Sequence, residues 1–123
     1  METVSIRVPA LPEFVHVVRL VAAGLAARLH FTLDEIEDLK IGVDELTAYL
    51  TGPQGRDGYL EIIFSVGEDR LQIRGVGHFA APANIRTELS DFSRMILETV
   101  VDSATLQFPD SLLCFELLKT RRS

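Results

Sequence analysis

Apolar residues along this chain follow two rhythms, a period of two and a period of three to four, and the switches between them divide it into elements. Val4, Ile6 and Val8 alternate with Ser5 and Arg7, which predicts a short strand closed by Pro9 and Pro12. From Glu13 to Leu29 the period lengthens: Phe14, Val18, Val21, Leu25 and Leu29 form one helical stripe, and Ala22, Ala23, Gly24, Ala26 and Ala27 make that helix thin enough for close packing. His30 to Thr32 turn the chain into a second helix, Thr32 to Gly52, whose start is specified in several ways. Thr32 with Glu35 three residues on forms a capping box, and Phe31 with Ile36 a hydrophobic staple. Asp34, Glu35, Glu37 and Asp38 sit at the positive end of the helix dipole. Ile36, Leu39, Val43, Leu46 and Leu50 then face a core, and Gly52-Pro53 stops the helix.

Beyond a turn-rich loop from Gly52 to Gly58, Leu60, Ile62, Phe64 and Val66 alternate as a strand. Gly67-Glu68-Asp69 connects it to a second strand marked by Leu71 and Ile73, giving a β-hairpin. Gly75 to Asn84 reads as a loop. A third helix is expected from about Ile85 to Val101, with Leu89, Phe92, Ile96 and Val100 on its buried face. Ala104, Leu106 and Phe108 predict a strand, Pro109-Asp110 a turn, and Leu112 to Lys119 a last apolar strand. The order β-α-α-β-β-α-β-β pairs neighbouring strands by hairpins. It therefore predicts an α+β two-layer sandwich, with helices on one face of a mixed, mostly antiparallel sheet.

Composition narrows the class. The chain's 123 residues, 47% of them apolar, suit one globular domain over residues 1–123 that needs neither metal nor disulfide to fold. The single cysteine, Cys114, lies in an apolar run and is expected to be a buried, inert thiol. No apolar run reaches membrane-spanning length and the first residues lack the layout of a secretory signal, so the expected location is cytoplasmic, with no membrane contact. A net charge of −6 argues against nucleic acid as a direct partner and suits a basic protein partner. Lys119, Arg121 and Arg122 read as a solvated terminal tail. His16, His30 and His78 show no metal-ligand spacing, and no metal site is expected.

The chemistry gathers on the second helix, where Ile41, Glu45, Ala48 and Tyr49 form a second face and Glu45 and Tyr49 lie one turn apart. The run EDLKIGVDELTAYL resembles the first nucleotide-binding box of the GHKL (Bergerat-fold) ATPases, in particular the small anti-sigma factors of the RsbW/SpoIIAB type. Asp38, Leu39, Val43 and Glu45 match that box. Tyr49 stands where the family has a magnesium-binding asparagine, and a phenol cannot replace a carboxamide oxygen on a hard, octahedral ion. The second box, D-x-G-x-G in the family, corresponds to Gly75-Val76-Gly77-His78-Phe79. Gly77 fits, Gly75 takes the place of the base-reading aspartate, and Phe79 takes that of the second glycine. Ala80 to Ser93 contains no glycine and cannot form the family's glycine-rich phosphate lid.

The resemblance implies that Glu45, Tyr49, Gly75 and Gly77 occupy nucleotide-site positions in a degenerate form, with no cofactor expected and Mg-ATP doubtful. Phe79 could fill the adenine pocket. Arg19, on the first helix, falls where the family carries an arginine that reaches the sigma factor, and it should be exposed as an interface arginine must be. The implied function is an anti-sigma factor that sequesters an RNA polymerase sigma factor, is released by a STAS-domain anti-anti-sigma antagonist, and forms a homodimer. The rival reading is a working Mg-ATP-dependent serine kinase acting on the STAS partner, with Glu45 as the general base toward the attacking hydroxyl.

Overall fold

The computed structural model describes residues 2–80 and 85–122. Strand β1 (Glu2–Pro9) leads through a 3-10 turn at Pro12–Phe14 into helix α1 (Val15–Arg28), followed by α2 (Leu33–Thr51), strands β2 (Gly58–Val66) and β3 (Arg70–Phe79), helix α3 (Asp91–Val100), and strands β4 (Ser103–Gln107) and β5 (Cys114–Thr120). The sheet order is β1-β2-β3-β5-β4, and every pairing is antiparallel.

Register explains why the sheet has one buried face. Val8 pairs with Leu60, which pairs with Gly77, and Val4 with Phe64, which pairs with Ile73 and through it Leu117. Directly opposed residues point to the same side, so Leu60, Ile62, Phe64, Leu71, Ile73, Phe115 and Leu117 all turn toward the helices and are buried. Leu39, Val43, Leu46 and Leu50 of α2 meet them with no exposed surface. The α+β sandwich thus follows from the alternation in the strands and the stripe on α2.

The start of α2 is built as its sequence specifies. The Thr32 side chain accepts from the Glu35 N–H at 3.1 Å, and Glu35 Oε1 accepts from the Thr32 N–H at 2.8 Å. Phe31 is buried and Ile36 packs against the core, as a staple requires. At the far end Gly52 takes φ 67° and its N–H bonds Ala48 O, the left-handed exit that glycine permits. Cys114 is buried, as expected.

Several expectations are corrected. The stretch from Gly75 to Phe79 is strand, not loop, because β3 runs on to Phe79 opposite Gly58. Glycines break the alternation that would have marked it. Of the predicted loop, residues 81–84 lie outside the described residues. The third helix begins at Asp91 rather than near Ile85, capped by Ser90, whose side chain accepts from the Ser93 N–H. Its buried residues are Ser93, Leu97 and Val100, while Phe92 faces solvent. On α1, Ala22 and Ala26 turn into the core, leaving Gly24 and Ala27 exposed. The basic C-terminal residues are not a free tail. Lys119 is buried and donates to Val100 O at 2.8 Å, Arg121 donates to Leu29 O, and the Arg122 N–H donates to Glu35 Oε2. These contacts tie β5 and the residues after it to the ends of α3 and α1 and to the start of α2.

Candidate functional site

The C-terminal half of α2 and the N-terminus of α3 run antiparallel and enclose a cleft of about 290 Å³, lined by Glu45, Ala48, Tyr49, Gly52, Pro53, Arg56, Arg86, Ser90 and Ser93. One turn of helix sets Glu45 and Tyr49 side by side, and the Ser90 cap sets Ser93 on the turn that faces them. Ser93 Oγ donates to Glu45 Oε2 at 2.6 Å and shares a 2.7 Å hydrogen bond with the Tyr49 hydroxyl. The Ser90 N–H donates to the Tyr49 oxygen at 2.9 Å, and Ser90 Oγ lies 3.0 Å from Ser93 Oγ. These four side chains form one connected network of short hydrogen bonds, in which each hydroxyl has a partner. Burial disfavours a phenolate at Tyr49, yet the hydrogen bonds from Ser90 and Ser93 and the nearby Arg86 outweigh it and hold the phenol below its ordinary pKa. Arg86 lies 5.9 Å over the Tyr49 ring, and Arg56 donates to Leu50 O and lies 5.2 Å over the Phe79 ring.

The β3 positions are arranged differently. Gly75 is on the helix-facing side, paired with Phe115, and any Cβ placed there would run into the Phe115 ring. A Cβ at Gly77 would run into the ring of Phe79. Two aromatic rings thus take up the volume directly over both glycines. Neither glycine lines the cleft beside Glu45 and Tyr49.

Arg19 lies on the other side of α2. Its Nε is 3.1 Å from Asp44 Oδ1, and its guanidinium also contacts His16 Nδ1. With Pro12, Ala48 and Thr51 these residues line a separate groove of about 470 Å³ between α1 and α2. The expected exposed arginine is thus corrected to a half-buried one, held by a carboxylate from the neighbouring helix. Burial raises the pKa of Asp44, against the lowering pull of Arg19 and His16.

Sequence reasoning placed Glu45 and Tyr49 together but missed Ser90, Ser93, Arg86 and Asp44. The signal for the serines was present as Ser90-Asp91, a cap followed by an acid in the first turn, and was overridden by starting the helix at Ile85. Among the described residues, no group of three His, Cys, Asp or Glu side chains could hold a metal ion.

A sheet covered on one face by three helices, with a carboxylate-bearing central helix over its middle strands, is a GHKL-like sandwich. No family model matches the chain. It is 41% identical over 73 residues to the serine-protein kinase RsbW of Bacillus subtilis (strain 168), covering 57% of this chain and 46% of that protein. It is 38% identical over 78 residues to the protein of the same name from Bacillus pumilus (strain SAFR-032), covering 59% and 48%. The RsbW of Bacillus cereus (strain G9842) aligns over 121 residues at 28% identity, covering 97% of the chain and 72% of that relative. The aligned segment thus spans about half the length of the first two relatives. Over these segments the chain is similar to RsbW-type serine-protein kinases.

Proposed function

We propose that this chain is a cytoplasmic anti-sigma factor that sequesters an RNA polymerase sigma factor by binding alone, with little or no ATP binding, and that a STAS-domain antagonist releases it. The observation that carries the nucleotide-independent part is the occupation of the space over Gly75 and Gly77 by the Phe115 and Phe79 rings. A base entering there would have to displace close-packed aromatic surface. Tyr49 supports the same reading, because its oxygen is committed to Ser90 and Ser93 and a phenol is a poor magnesium ligand. The residues present do not fit a magnesium nucleotide, and no catalytic step is assigned to them. Arg19, pre-oriented by Asp44, is the proposed sigma contact on α1, and a homodimer is the proposed assembly.

The rival reading, a serine kinase, is favoured by the names of the relatives and by the presence of Glu45 at the matching position. A general base must reach the attacking hydroxyl, whereas the Glu45 carboxylate is engaged by Ser93 at 2.6 Å. The deciding experiment is capture of the tagged protein from its source lysate with and without Mg-ATP, read by mass spectrometry. A sigma factor retained equally in both supports the binder. Retention only with ATP, or phosphate transfer to a STAS protein that Glu45→Ala abolishes, establishes the kinase. Recovery of neither partner overturns the anti-sigma reading.

A further inference from the structure

Along the seam between α2 and α3, one turn beyond the Glu45–Ser93 contact, the helix layer presents large apolar side chains to water. Phe92 is 68% exposed, Met95 62% and Ile41 46%, and with Ile96, Thr99 and Val100 they line a groove of about 320 Å³. Three such side chains converging on one groove exceed the scattered exposure of an ordinary surface.

The charges around the groove identify its occupant. All four α2 positions one turn from Ile41 are acidic, namely Glu37, Asp38, Asp44 and Glu45, and on α3 Asp91 lies one turn before Met95. Three of the α2 acids have cationic neighbours, but in each pair the carboxylate is the more exposed member: 65% for Glu37 against 31% for Lys40, 44% for Asp38 against 7% for Lys119, and 40% for Asp44 against 29% for Arg19. The face that an approaching molecule meets is therefore apolar in the centre and acidic at the rim. A second copy of the chain, itself carrying a net charge of −6, would set acid against acid.

We infer that the α2–α3 seam is a docking groove for a basic amphipathic helix of a protein partner, which lays an apolar stripe on Ile41, Phe92 and Met95 and sets lysines or arginines against the acidic rim. The inference does not depend on which protein presents that helix, and so it stands apart from the sigma-factor assignment.

The test uses the full chain, methyl-labelled at isoleucine and methionine, with two synthetic helical peptides that share a leucine stripe and carry either lysines or glutamates on the polar face. The lysine peptide is expected to shift the Ile41 and Met95 methyl signals and the glutamate peptide to leave them unmoved. Phe92→Asp should weaken the lysine peptide by at least about tenfold, as loss of one buried aromatic anchor implies. Phe92→Ser provides a second variant if the first fails to fold, and Glu37→Lys with Asp91→Lys should weaken binding with the apolar groove intact. Equal response to both peptides, shifts mapping elsewhere, or unaltered affinity in these variants would overturn the inference. So would concentration-dependent broadening of the same methyls without peptide, which would make a second copy the occupant. Loss of sigma capture with the peptide response intact would strike the functional reading alone.

Discussion

Glu45 and Tyr49 on α2 and Gly75 and Gly77 on β3 occupy positions that family resemblance assigns to one site, yet their surroundings have been resolved in opposite ways. On α2 the substituted residue is polar, and its hydroxyl is absorbed into a network with Ser90, Ser93 and Glu45 that still borders an open cleft. On β3 a glycine replaces the aspartate and a phenylalanine the second glycine, and aromatic rings from β5 and from the end of β3 itself close over Gly75 and Gly77. A polar wall can be rewired by a few hydrogen bonds at little cost in packing. A sheet face buried under helices cannot keep an empty space, because interiors are packed to crystal-like density. The β3 side is consequently the harder of the two to restore.

The largest effect that could break this contrast is Gly75→Asp, which reinstates the aspartate of the family motif. Its Cβ collides with the Phe115 ring and its carboxylate enters an apolar layer without a partner. The variant is expected to lose most of a domain's roughly 5–15 kcal/mol of stability, seen as loss of soluble, cooperatively unfolding protein. Retention of a normal denaturation midpoint would mean that the ring moves aside easily. Next comes Phe115→Ala, which should cost about 3–5 kcal/mol in chemical denaturation as a buried aromatic leaves a cavity. Combined with Gly75→Asp it should cost less than the sum of the two, because the pair shares one contact.

Changes on the α2 side should be milder. Tyr49→Phe removes the acceptor for the Ser90 N–H and the partner of Ser93, an expected loss of about 1–3 kcal/mol with the fold intact. A loss as large as that of Phe115→Ala would erase the distinction between the two sides. The smallest effect concerns pH. Because the folded-state pKa of Tyr49 is lowered from an ordinary value of 10.0, ionisation favours the folded chain. Its contribution should grow as pH rises from the folded pKa toward that value and be absent at neutral pH. Denaturation followed across the alkaline range should show this gain in the parent chain and a smaller one in Tyr49→Phe. Equal slopes would mean that the phenol is not engaged as described.

What was legible in the sequence was what local physics specifies. The capping box at Thr32 and Glu35, the core stripe of α2 and the alternation in β2 each follow from a period or a pair of residues a turn apart, and all three are present. The one-turn spacing of Glu45 and Tyr49 belongs to the same class, since a helix fixes it without help. The limits of β3 and α3 were misread where local signals compete. Glycines hid the strand, and the loose apolar spacing of Ile85, Leu89 and Phe92 imitated helix ahead of the Ser90 cap. The partners of each site residue depended on elements far apart in the chain. Ser93 reaches Glu45 across 48 positions, Phe115 covers Gly75 through strand register, and Asp44 holds Arg19 across two helices. The sequence determined by itself the order of helices and strands and, in α2 and β2, the face that each would bury, because those depend on spacing along one element. Only the tertiary structure decided which space is filled and which carboxylate is engaged, because packing and hydrogen bonding join residues whose separation in sequence carries no signal.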